Sequence, residues 1–90
     1  MEVTIVPSEV VVRRGDLVIL AVEVTDGGSA HECKWKTDFP GMQQPVTHGP
    51  EWRLSAPAVL RTHKFEVFVD VTDVDSGTVA SAVANVTLNP

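Results

Sequence analysis

The chain has 90 residues, of which 43% are hydrophobic and 21% charged, a composition typical of one small globular domain. This length is too short for a two-domain enzyme, and the apolar content is too high for a disordered tail. Seven basic residues against twelve acidic ones give a net charge of -5, which argues against nucleic acid and anionic membranes as partners. Cys33 is the single cysteine, so we expect packing alone to hold the fold, with no internal disulfide, metal or cofactor.

Apolar and polar residues alternate along most of the chain, which is the period of a β-strand with one buried face. Valine is the commonest residue, and β-branched side chains favour strands. In chain order, the predicted strands cover residues 3–6, 10–13, 18–25, 32–36, 52–55, 64–71 and 80–88. Turn-forming residues separate them, and residues 40–50 fit either an edge strand or a loop.

Seven short strands without an amphipathic helix predict an all-β fold, because a parallel sheet would need crossover helices. We therefore expect one domain over residues 1–90, built as an antiparallel two-sheet sandwich. Trp35 is expected to be the largest buried group, and Trp52 to matter less because its segment is short and near an edge. The predicted core consists of Leu20, Val22, Cys33, Trp35, Phe65, Val67 and Val69.

The order of landmarks resembles an immunoglobulin-like domain, with a proline-led first strand, a glycine before a long second strand and a tryptophan on the third. These residues are Pro7, Gly15 and Trp35. The resemblance implies an immunoglobulin-like sandwich. The chain has no tyrosine and no second cysteine, so it departs from antibody-type and receptor-type domains, which carry a tyrosine corner and an inter-sheet disulfide.

A closer resemblance is to the immunoglobulin-like modules of the outer-capsid decoration proteins of tailed bacteriophages. The residues that carry it are Val3-Thr4, Pro7-Ser8, Trp35-Lys36, the strand from 65 to 72 with its acidic turn 73–77, and residues 85–88. It implies a non-enzymatic display or binding module on the outer surface of the virion, cut from a longer protein. Another domain of that protein would bind the capsid, and this one, itself monomeric, would make weak contacts with the host cell surface or its glycans.

Bacterial surface adhesins contain repeats with the same skeleton. The alternative is therefore a spacer or adhesion repeat on a bacterial cell surface. We do not expect an enzyme, because the sequence has no nucleophile elbow and no glycine-rich loop placed to bind phosphate.

The candidate binding residues are two aspartates of an acidic turn and one aromatic residue. Asp73 and Asp75 place carboxylates near one loop tip, with Asp70 on the strand before it, and Ca2+ binds such oxygen clusters. The favoured interpretation of this turn is an Asx turn, in which an aspartate bonds its own backbone. Phe68 either points away from the face of Phe65 by parity or lies at a bulge, and we expect its ring to be exposed for contact.

Three further patterns each have two interpretations. His31, Cys33 and His63 could form a zinc site if His63 began a strand beside the other two, but a buried cysteine is ordinary core filling.

The Arg14-Gly15-Asp16 tripeptide is one that integrins recognise, and it is also a good turn in which Gly15 supplies a positive φ. The sequence from Asn85 to Thr87 fits a glycosylation acceptor, and it also fits an outward polar pair on a strand.

Overall fold

A computed structural model describes residues 1–26, 31–39 and 49–90, and it confirms the predicted all-β, two-sheet architecture. Each predicted strand lies within two residues of the observed bounds. The strands are β1 (Glu2–Val6), β2 (Glu9–Arg13), β3 (Leu17–Thr25), β4 (His31–Thr37), β5 (Glu51–Ser55), β6 (His63–Asp73) and β7 (Val79–Asn89). Most of the segment 40–50, for which the sequence allowed an edge strand or a loop, lies outside the described ranges, as do residues 27–29 of the turn that the sequence predicts at 26–29.

Two sheets pack face to face. One has the strand order β1-β3-β5 and the other β2-β7-β6-β4, so the first two strands of the chain are divided between the two sheets. The division falls at Pro7 and Ser8, where the chain leaves β1 and enters the second sheet as β2; the Val6–Pro7 peptide bond is cis.

The strand pairs of the sandwich are antiparallel, as predicted, with one exception. β2 pairs with β7 in parallel, from Glu9 opposite Asn85 to Arg13 opposite Asn89. The chain crosses between the sheets without reversing, so β2 keeps the direction of β1 and runs alongside β7 in the same sense. Alternation along a strand reveals its inner face but not the direction of its neighbour.

Six of the seven predicted core residues are buried, and Val22 is the exception. Val22 is half-buried and packs against the core from its margin. The reason is its position: the ladder between β3 and β5 covers residues 17–21, so Val22 lies just past the end of that ladder.

The prediction that Trp35 is the largest buried group is wrong, because Trp52 is more completely buried. Trp52 is 0% exposed and is the largest fully buried side chain, whereas Trp35 is 6% exposed. β5 does end the order of its sheet among the described strands, but Trp52 lies opposite the buried Leu20 and shares its inward face. An edge position exposes the backbone of a strand without exposing its inward side chains.

The molecule is elongated, measuring 45 × 20 × 17 Å, and the registers of the strands define its two ends. The N-terminal pole contains Glu2, Asp26, Glu32 and the β6–β7 turn at residues 74–78. The C-terminal pole contains the β2–β3 turn at residues 13–16, the β5–β6 loop at residues 56–62 and the end of β7.

Candidate functional site

The candidate site lies on the solvent-facing side of the β2-β7-β6-β4 sheet, called the outer face below. Its positions alternate with the buried residues of each strand. On β6 the inward residues Phe65, Val67, Val69 and Val71 are buried, which leaves the intervening positions facing outward. The outward side chains of the two central strands include Lys64, Glu66, Phe68, Asp70, Ser81, Val83, Asn85 and Thr87.

Phe68 lies on this outer face, which confirms its predicted orientation but not its full exposure. The ring is half-buried. Lys36 on the adjacent strand places its Nζ 5.7 Å from the ring centroid, and Val83 lies opposite on the other side. A cation over an aromatic face at this distance is attracted by the ring quadrupole, so Lys36 covers part of the Phe68 ring.

A groove of about 380 Å³ opens on the outer face beside Phe68, toward the C-terminal pole. Its lining comes from β2, β6 and β7, together with the residue that follows β4. The buried Phe65 and Val86 contribute little beyond backbone. The outward side chains that line the groove are those of Glu9, Val11, Asp38, Lys64, Glu66, Asn85 and Thr87.

The strand registers arrange these groups in two rows. In the first row Asn85 lies between Glu9 on one neighbouring strand and Glu66 on the other. Adjacent strands are about 4.8 Å apart, so the amide is flanked by carboxylates on both sides. The second row places Thr87 between Val11 and Lys64. The groove therefore offers hydrogen-bond donors and acceptors across three strands.

Asp38 fixes one wall of the groove. Its Oδ1 accepts a 2.8 Å hydrogen bond from the backbone N–H of Glu66, and the Thr37 hydroxyl donates to the Glu66 carbonyl at 2.9 Å. These bonds continue the pairing of β4 and β6 beyond the last residue of β4. The backbone beneath Glu66 is therefore held in place.

Asp73 and Asp75 lie at the N-terminal pole, away from Phe68 and the groove. Asp73 is 8% exposed and its Oδ1 accepts a 3.0 Å hydrogen bond from the N–H of Asp75. The Asp73 carbonyl accepts from the N–H of Gly77, whose φ is +75°. The Asx-turn interpretation is confirmed, and the described residues contain no group of three histidine, cysteine or acidic side chains arranged to hold a metal ion.

His31 and His63 lie at opposite ends of the β4–β6 region, so the zinc arrangement with Cys33 does not form. His31 is opposite Asp73, whereas His63 is opposite Leu88 on β7 and packs edge-on against Phe39, with ring centroids 5.6 Å apart. Cys33 is buried as core filling, and this burial raises the pKa of its thiol.

The Arg14-Gly15-Asp16 segment is a turn, as predicted. Gly15 has φ +84° and its N–H donates to the carbonyl of Ala56 at 2.9 Å. The Asp16 carboxylate accepts a 3.0 Å hydrogen bond from the N–H of Arg13. The carboxylate that an integrin would need is therefore already bonded to its own backbone.

Sequence reasoning identified Asn85 and Thr87 as an outward pair but missed the groove that they line. Alternation alone places polar side chains outward on β6 and β7. The missing information was the register, in particular that β2 adds Glu9 and Val11 beside them. Residues 8–13 precede residues 85–87 by more than 70 positions, and no local signal connects them.

Strand order defines the class of this protein as a seven-stranded, two-sheet β-sandwich. No protein-family model, no curated protein and no solved structure matches the chain. Within the described ranges, no helix is long and apolar enough to cross a membrane.

Proposed function

We propose that the chain is a non-enzymatic display and binding module whose outer face makes weak contacts with host-surface glycans. Like the modules of capsid decoration proteins that its sequence resembles, it projects from the outer surface of a tailed-phage capsid, and another part of the protein binds the capsid. The observation that carries the proposal is the polar groove on the outer face.

The chemistry of the groove suits a ligand rich in hydroxyl groups. A sugar hydroxyl both donates and accepts hydrogen bonds, and the groove provides acceptors at Glu9 and Glu66, a donor at Lys64, and both kinds at Asn85 and Thr87. A volume of 380 Å³ lies within the range of about 300 to 1,000 Å³ that is usual for small-ligand sites. The groove is open to solvent and lined by exposed side chains, so we expect low affinity.

Attachment to the capsid through another part of the protein is supported by the distribution of apolar residues. The large apolar side chains of β4 and β6 lie between the two sheets, apart from the half-buried Phe68. Of the remaining exposed ones, Leu17 and Ile19 lie together on the outside of β3, a pair smaller than the well-packed apolar centre of a tight interface.

Binding of the fluorescently labelled chain to host cells tests the proposal. Asn85→Ala and Lys64→Ala should each weaken binding by about fivefold or more, because each removes hydrogen bonds to the ligand. Thr4→Ala is the matched control, since Thr4 is an exposed polar residue on the outside of the other sheet. Equal binding by all four proteins would contradict the proposal, and release of free sugar would show an enzyme instead.

One observation favours the alternative, a spacer or adhesion repeat of a bacterial surface protein. β1 begins at the N-terminal pole and β7 ends at the C-terminal pole of a body 45 Å long. That arrangement suits modules joined end to end. Flanking sequence with tandem copies and an anchor would support the repeat, and a capsid-binding segment would support the decoration protein.

A further inference from the structure

The two poles of the sandwich differ in charge and in apolar surface. At the C-terminal pole, Leu60 is 99% exposed, more than any other large hydrophobic side chain described. Arg61 follows it in the same loop, and Arg13 and Arg14 lie on the neighbouring turn. The Gly15 N–H···Ala56 carbonyl hydrogen bond holds that turn against the base of the loop. An apolar tip is thus flanked by three arginines and by one carboxylate, that of Asp16.

The N-terminal pole has the opposite character. It contains the exposed acidic residues Glu2, Asp26, Glu32 and Asp75, and its described residues include no lysine or arginine. Val74 and Val79, at either side of the β6–β7 turn, are 55% and 57% exposed. Two exposed valines thus lie at a pole whose described charged side chains are acidic.

We propose that the C-terminal pole of one copy docks on the N-terminal pole of a second copy, head to tail. Leu60 packs against Val74 and Val79, and the arginines around it face the acidic residues around the valines. Charge complementarity selects this orientation, because two like poles brought together would repel. The contact is heterologous, so it extends a row of modules instead of closing a symmetric dimer.

The size of the poles sets the strength of the contact. The molecule is 20 × 17 Å across, so the flat cross-section of each pole is roughly 340 Å², well below the area of about 800 Å² per partner that a standard stable interface buries. The module should therefore be monomeric when dilute. The contact forms where copies are held at high local concentration, as on a particle surface or in a tandem array. It uses a different surface from the groove and does not depend on glycan binding.

Two complementary variants test the proposal. The first variant, Leu60→Ser with Arg61→Ser, removes the apolar tip and one positive charge of the C-terminal pole. The second, Val74→Ser with Asp75→Asn, removes one exposed valine and one negative charge of the N-terminal pole. NMR titration at millimolar concentration should show self-association of the unchanged chain, weakened by about tenfold or more in each variant alone. A mixture of the two variants should regain association as one-to-one pairs, because each retains the pole that the other lacks.

Controls make each outcome decisive. Val83→Ser changes an exposed valine of the outer face, so it should associate like the unchanged chain. Melting curves verify folding, and the single substitutions Arg61→Ser and Asp75→Asn replace any double variant that does not fold. The proposal is wrong if the unchanged chain stays monomeric at several millimolar, if either variant alone associates normally, or if the mixture associates no better than its components.

Discussion

At the scale of single residues, the two tryptophans belong to different sheets, and both point into the space between them. Trp35 donates its Nε1–H to the carbonyl of Gly49 at 2.9 Å, whereas the buried Nε1 of Trp52 has no hydrogen-bond partner among the described residues. Both rings fill the core, but only Trp35 has a hydrogen bond to lose. Their contributions to stability can therefore be separated by substitution.

We predict that Trp35→Ala and Trp52→Ala each lower the free energy of unfolding by about 3 to 5 kcal/mol, through cavity formation. Trp35→Phe should cost about 1 kcal/mol more than Trp52→Phe, because only Trp35→Phe leaves a carbonyl unpaired. Urea denaturation measures all four values. A Trp52→Ala variant much milder than Trp35→Ala would show that β5 does not present Trp52 to the core.

The thiol of Cys33 makes the stability of the fold depend on pH in the alkaline range. Burial raises the pKa of its thiol in the folded state above the unfolded value of 9.0, because desolvation disfavours the thiolate. The unfolded chain therefore loses this proton first as the pH rises, and stability falls from about pH 9 upward. Denaturation midpoints measured between pH 7 and 10.5 should decline less in Cys33→Val, whose side chain does not titrate. Parallel declines in the two proteins would contradict this prediction.

At the scale of elements, the sequence predicts a strand well where one face is uniformly apolar. Phe65, Val67 and Val69 alternate with polar residues, so both the existence and the inner face of β6 follow from the pattern. Partners do not follow, because pairing depends on contacts distant in sequence. The parallel β2–β7 pair, the inward position of Trp52 and the groove all depend on such contacts.

The β2–β3 turn requires glycine at position 15. Gly15 has φ +84° with no atom within 4 Å of an added Cβ, so an alanine there meets backbone strain without a clash. Gly15→Ala should lower stability by about 1 to 2 kcal/mol. Gly49→Ala is the matched control, because its surroundings are equally open and its φ is not in the left-handed region. Equal effects in thermal melts would show that φ is not the cause.

Substitutions of Asp73 and addition of Ca2+ distinguish an Asx turn from a cation site at the β6–β7 turn. Asp73→Ala removes the acceptor of the Asp75 N–H and should lower stability by about 1 to 2 kcal/mol, whereas Asp73→Asn keeps an acceptor oxygen and should cost less. Added Ca2+ should leave the melting temperature of the unchanged chain where it is. A rise with Ca2+ that Asp73→Asn abolishes would establish a cation site at this turn.

At the scale of the whole molecule, the acidic and basic side chains are unevenly placed along the 45 Å axis. The net charge of -5 favours solubility of separate copies, while the cationic C-terminal pole and the acidic N-terminal pole favour one mutual orientation at close range. The groove lies on the side of the sandwich. The proposed contacts between poles and the proposed contacts with glycans therefore use separate surfaces.

The most direct test of the central claim is an NMR titration of the 15N-labelled chain with a panel of bacterial surface polysaccharides. The claim is that the outer-face groove is the binding surface. We predict amide shifts concentrated at the groove, at Glu9, Val11, Lys64, Asn85 and Thr87. At equal polysaccharide concentration Asn85→Ala should make them smaller, and Thr4→Ala should leave them intact. Shifts confined to another surface, or no shift with any polysaccharide of the panel, would contradict the account.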